Sequence, residues 1–71
     1  KNSDARYQLA SLCITEGDYQ TALDQLLQIL IRDRQYNDDA GRRAMLSIFD
    51  MLGSEHELVG IYRRKMFNAM H

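Results

Sequence analysis

Few side chains in this 71-residue chain are suited to chemistry. They are one thiol, Cys13, two imidazoles, His56 and His71, an adjacent pair of carboxylates, Asp38 and Asp39, and a run of cations, Arg63-Arg64-Lys65. A thiol acts as a nucleophile where an accessible, electropositive setting favours the thiolate. Cys13 instead falls among apolar residues at helical spacing, where a free cysteine packs as a small hydrophobe. One Cys and two widely separated His do not compose a zinc site of the usual kind. His56, between Glu55 and Glu57, reads as part of a solvated first helical turn. Asp38 and Asp39 suit a helix N-terminus, where carboxylates cap free N–H groups and complement the dipole. No glycine-rich phosphate loop is present. The expectation is a protein with no catalytic residue, no metal site and no cofactor.

The cationic run is the strongest local signal. Basic residues late in a helix complement its dipole, but Ile61 and Phe67 fall outside the stripe formed by Leu58, Tyr62 and Met66. Arg63 and Arg64 share that outer arc. Aromatic residues and Arg are enriched where proteins bind one another, so Ile61, Arg63, Arg64 and Phe67 are the primary contact candidates. Tyr7 and Arg42, near the edges of their helices' apolar faces, are secondary ones. Met45, Met66 and Met70 read as filling between the last two helices, whereas Met51 lies off the main face and is the methionine expected at the surface.

The elements that position these residues follow from turn signals and periodicity. Gly17-Asp18 and Gly53-Ser54 each read as a helix-ending glycine followed by the cap of the next helix, with Ser54 and Glu57 forming a capping box. Between them Arg34–Asp39 is polar, with Asn37 or Asp38 as the natural N-cap. Helices are predicted over 4–15, 19–33, 38–52 and 55–70. At ~100° per residue, the first gathers Ala5, Leu9, Leu12 and Cys13 on one face, with Ala10 alongside. The second gathers Tyr19, Ala22, Leu23, Leu26, Ile29 and Leu30, with Leu27 and Ile31 on its flank. So wide an arc marks an inner helix with neighbours on two sides. The third collects Met45, Leu46, Ile48, Phe49 and Leu52, and the fourth Leu58, Val59, Tyr62, Met66, Ala69 and Met70. The fold class is therefore all-α: two antiparallel helical hairpins, four helices in one domain over residues 1–71.

Composition agrees. The chain has no Pro or Trp, and is 45% hydrophobic and 27% charged. A formal net charge of −1 makes no global case for nucleic acid. That value averages an acidic body, with six basic and ten acidic groups before residue 60, and a basic end carrying three cations and no acid. No apolar run approaches the ~20 residues that cross a bilayer, and the opening residues are not a signal peptide. A chain of this size has a marginal core, and the missing initiator Met is read as the mark of a fragment.

Gly17 and Gly53 stand 36 residues apart, a spacing typical of stacked helical repeats. Leu9, Ala10, Gly17-Asp18-Tyr19, Ala22, Leu26, Ile29 and Leu30 resemble the core of a tetratricopeptide repeat, in which two small residues let paired helices approach closely. Arg6 replaces that family's usual aromatic and Arg34 its closing proline. In the second unit Leu46 and Leu58 replace both small residues. A narrower resemblance rests on Asp4–Ala10, Ala22–Leu27, Ile48–Gly53 and Tyr62–Phe67. These segments are similar to the C-terminal domain of bacterial thioredoxin-fold co-chaperones of the YbbN type. That resemblance implies the C-terminal piece of a longer cytoplasmic protein with a thioredoxin-like domain upstream, whose partners are a chaperonin or unfolded clients. No redox motif of such a parent lies in these residues. The expected function is non-enzymatic protein binding. The alternatives are a nucleic-acid module using the basic last helix, or a self-association element forming a homo-oligomer.

Overall fold

In the computed structural model, which describes residues 2–70, four helices follow one another: α1 (Asn2–Thr15), α2 (Tyr19–Arg32), α3 (Ala40–Leu52) and α4 (Glu57–Ala69). No strand occurs among the described residues. His71, set aside above as belonging to no ligand motif, lies outside them, as does Lys1. Gly17 and Gly53 end α1 and α3 with φ of 82° and 95°, a region in which a Cβ is strained. Asp18 then caps α2, its carboxylate accepting from the Thr21 N–H at 3.3 Å.

Two predicted caps are corrected. The Ser54–Glu57 box does not form; α4 starts later and its N-cap is His56, whose Nδ1 accepts from the Leu58 N–H at 3.1 Å. His56 therefore closes the turn rather than joining the first turn of the helix. At α3 the N-cap is Asp39, not Asn37 or Asp38, and its side chain makes no cap bond. Asn37, Asp38 and Asp39 all have positive φ, at 48°, 59° and 66°. This left-handed turn replaces the predicted first two residues of α3. Arg43 holds it by donating to the carbonyls of Asp38 at 2.9 Å and Asn37 at 3.1 Å.

The hairpins are antiparallel: Ser3, at the start of α1, donates to Asp33 just beyond the end of α2 at 2.9 Å. As predicted, α2 is central, packing against α1, α3 and α4. Its Ala22, Leu23, Leu26, Leu27, Ile29 and Leu30 are all buried, with Leu27 inside the core and Ile31 exposed rather than both on the flank. Across from it lie Met45, Ile48 and Phe49 of α3 and Val59, Tyr62 and Met66 of α4. Tyr62 reaches back to α2, its phenol donating to the Asp24 carboxylate.

The first helix departs most from expectation. Ala10 and Cys13 are buried, but Ala5, Leu9 and Leu12, placed on the core face above, are exposed. The buried face is Ser3, Ala10 and Cys13, with half-buried Arg6, Tyr7 and Ile14 beside them. Arg6 is tolerated there because its guanidinium donates to the Gln25 side chain at 3.2 Å. Apolar residues on two faces left the sequence pattern of α1 ambiguous, and the polar pairs decide which face turns inward.

Candidate protein-binding groove

The two hairpins pack differently because of two residue pairs. Ala10 and Ala22, at 1% and 0% exposure, let α1 and α2 close on each other. Leu46 and Leu58 occupy the equivalent places in the second hairpin, and Leu46 is 38% exposed instead of joining the core as expected. Beside Leu46 a groove of about 360 Å³ lies between α3 and α4, lined by Leu46, Phe49, Asp50, Gly53, Ser54 and Arg63. The Arg63 guanidinium lies over the Phe49 ring, 5.6 Å from its centroid. An exposed contact of this kind contributes ~0.5–1 kcal/mol and fixes the cation at the groove's edge. The groove thus presents Leu46 as its exposed apolar side chain, with buried Phe49 beneath Arg63, and carries opposite charges, Asp50 and Arg63, on its walls. Such a surface can seat an apolar side chain of a bound segment and orient its polar flanks.

The six candidate contacts fall into separate places. Arg63 sits at the groove. Ile61, Arg64 and Phe67 are exposed on α4, and helical spacing places them on its outer side. Lys65 lies over the Tyr62 ring at 5.0 Å. Tyr7 and Arg42 belong to another region, around the α2–α3 connection. Tyr7 is half-buried against Tyr36, with ring centroids 6.0 Å apart, and Arg42 pairs with Asp39 at 2.8 Å. Sequence reasoning missed Leu46, Phe49 and Asp50 as groove residues. The signal was present in the replacement of both small residues by leucine, which had been read only as a departure from the repeat.

Other chemistry-bearing groups assemble nothing comparable. A larger hollow of about 560 Å³ beside the α2–α3 connection is lined by Arg34, Gln35, Asp38 and Asp39. None of its lining side chains is apolar. Cys13 is buried, and burial, followed by the nearby charges of Asp18 and Glu16, pushes its thiol pKa up, which disfavours the thiolate. Among the described residues no group of His, Cys, Asp and Glu could hold a metal ion, and no helix is long and apolar enough to cross a membrane.

The tetratricopeptide repeat family model matches residues 1–71, the whole chain. This chain belongs to the tetratricopeptide repeat family. Such repeats are in general non-catalytic modules that mediate protein–protein interaction. Comparison with curated proteins and with solved structures returns no match. In this tetratricopeptide unit the first hairpin keeps the small-residue contact and the second has exchanged it for a groove.

Proposed function

We propose that this chain is the non-enzymatic, protein-binding module of a cytoplasmic thioredoxin-like co-chaperone, engaging a chaperonin or unfolded clients. The observation that carries the binding role is the α3–α4 groove, with half-exposed Leu46 in its lining and Arg63 held over Phe49. The family supports protein binding as the mode of action. The co-chaperone assignment is supported by the resemblance of Asp4–Ala10, Ala22–Leu27, Ile48–Gly53 and Tyr62–Phe67 to that group. In this mechanism an apolar side chain of an extended or helical segment enters the groove beside Leu46. Arg63, Arg64 and the α4 side chains Ile61 and Phe67 form the rim, steering approach and adding contact area.

The test is binding of the complete natural polypeptide to a chaperonin and to an unfolded client, before and after changing Ile61, Arg63, Arg64 and Phe67 together. A ten-fold or greater loss of affinity is expected, roughly 1.4 kcal/mol or more. Unchanged binding overturns the proposal. Steeply salt-dependent binding to nucleic acid through α4 would replace it with the nucleic-acid alternative.

A further inference from the structure

Two glycines lie inside helices, and only one has a neighbour that explains it. At Gly41 α3 closes on α2 so tightly that an added Cβ would lie 3.1 Å from the Ile29 Cγ2 and 3.2 Å from the Leu26 carbonyl oxygen. Gly60, inside α4, has nothing within 4 Å of the place its Cβ would take. Its φ is not positive either, since Gly17 and Gly53 are the glycines of that kind among the described residues. A glycine in a helix interior weakens the helix relative to alanine, and nothing within the chain accounts for one here.

The side chains around Gly60 supply the account. Glu57, Gly60, Ile61 and Arg64 are all exposed. Standing at i, i+3, i+4 and i+7, they share one side of α4, opposite buried Val59, Tyr62 and Met66. Among the described residues the ion pair is that of Arg42 with Asp39, and neither Glu57 nor Arg64 is paired. The stripe is self-complementary. Laid antiparallel on a copy of itself, about a two-fold axis midway between Gly60 and Ile61, it sets Glu57 opposite Arg64 of the partner subunit, and the reverse. Ile61 meets its own counterpart on one side of the axis. Gly60 meets its own on the other, where the missing Cβ lets the two helices close as α3 closes on α2. A parallel arrangement would set like charges against each other.

We propose that α4 pairs two copies of this chain, antiparallel and two-fold symmetric, through Glu57, Gly60, Ile61 and Arg64. Charge selects the occupant: each end of the stripe carries the counter-charge that the other end needs, and a second copy presents both in register. One helix pair covers less than the ~800 Å² per partner of a standard interface. The dimer is therefore weak, with a Kd expected between about 10 µM and 1 mM. Arg63 turns away from this face to lie over Phe49, so the α3–α4 groove stays open and the pair presents two of them. In the dilute, monomeric chain Ile61 and Arg64 are available for the rim of that groove. The pairing does not rest on the groove, and either can fail alone.

The test is sedimentation equilibrium of the complete natural polypeptide between about 10 µM and 1 mM. The natural sequence is compared with Glu57→Arg, Arg64→Glu and the double variant, with circular dichroism to confirm helicity. The natural sequence should show a reversible monomer–dimer equilibrium. Each single reversal sets like charges opposite one another and should weaken association about ten-fold or more. The double variant restores the pairing with the charges exchanged and should return to within about three-fold of the natural sequence. Gly60→Gln, uncharged and helix-favouring, should also weaken association about ten-fold, by holding the helices apart. A monomer at every concentration overturns the proposal, and a foreign protein that such a monomer binds through this stripe would take the place of the second copy. Association left unchanged by the single reversals overturns it too, because another surface would then carry the contact. So does a double variant that recovers nothing.

Discussion

Tyr62 is the residue at which packing and electrostatics are most tightly joined. It is buried between α2 and α4 and donates its phenolic proton to Asp24. Burial, then this hydrogen bond and the charge of Asp24, push its pKa up to about 12, against an ordinary value of 10.0. Tyr36, bonded to Asp4, is likewise raised to about 12. A phenol whose pKa is raised by folding contributes stability that is complete below the unfolded value and is lost as pH climbs through the folded one. Stability from both residues should therefore fall between pH 10 and about 12. Followed by phenolate absorbance, two tyrosines should ionise late in the native protein and one in Tyr62→Phe; an unchanged late component in that variant would contradict the assignment. Gly60 illustrates the opposite situation. It lies in α4 with open space around any added Cβ, so Gly60→Ala should raise stability by about 0.5–1 kcal/mol through helix propensity alone. Urea unfolding checks this, and a decrease would contradict the open, ordinary helical setting of this position.

Between elements, one pair of side chains determines how closely two helices lie. Ala10→Leu gives the first hairpin the residue that opens the second. With Ala22 facing it at 0% exposure, the added bulk should cost about 1–3 kcal/mol by overpacking. Leu46→Ala, at a half-exposed position, should cost much less and should weaken segment binding at the groove. Equal losses of stability in the two variants, measured by urea unfolding, would mean that the hairpins do not differ as described. Element by element, α2 was the most readable from sequence because its buried positions form one continuous arc bounded by Asp18 and Asp33. Both glycine turns were readable for the same local reason, a positive φ that only glycine takes cheaply. The inward face of α1 was not, since Ala5, Leu9 and Leu12 compete with Ala10 and Cys13 for the same helix. Nor was the Asn37–Asp39 turn, whose left-handed backbone depends on Arg43, a residue inside the next helix.

The whole molecule is a thin slab, 33 × 30 × 16 Å, little more than one helix pair deep. In so thin a body an interior face and a binding face are separated by a single helix diameter. Apolar residues are consequently both buried and exposed within one helix, as Cys13 and Leu12 are in adjacent positions. This is why the candidate site was only partly legible. Ile61, Arg64 and Phe67 were recognisable as off-face residues of α4, whereas the groove required knowing how far apart α3 and α4 stand. The charge division belongs to this scale as well. The acidic body and basic α4 leave a small net charge but a clear polarity, which suits oriented approach by a partner more than attraction over long distances.

The left-handed connection at Asn37–Asp39 governs more than local strain. Removing one residue from it would turn α3 through ~100° about its own axis. Gly41 would then face away from Ile29, and a side chain would be driven into the Leu26 carbonyl. The number of residues in this joint is thus a mechanical constant of the protein. Its composition can drift among residues that accept a left-handed backbone, but insertions and deletions in descendants of this sequence should be confined to other segments.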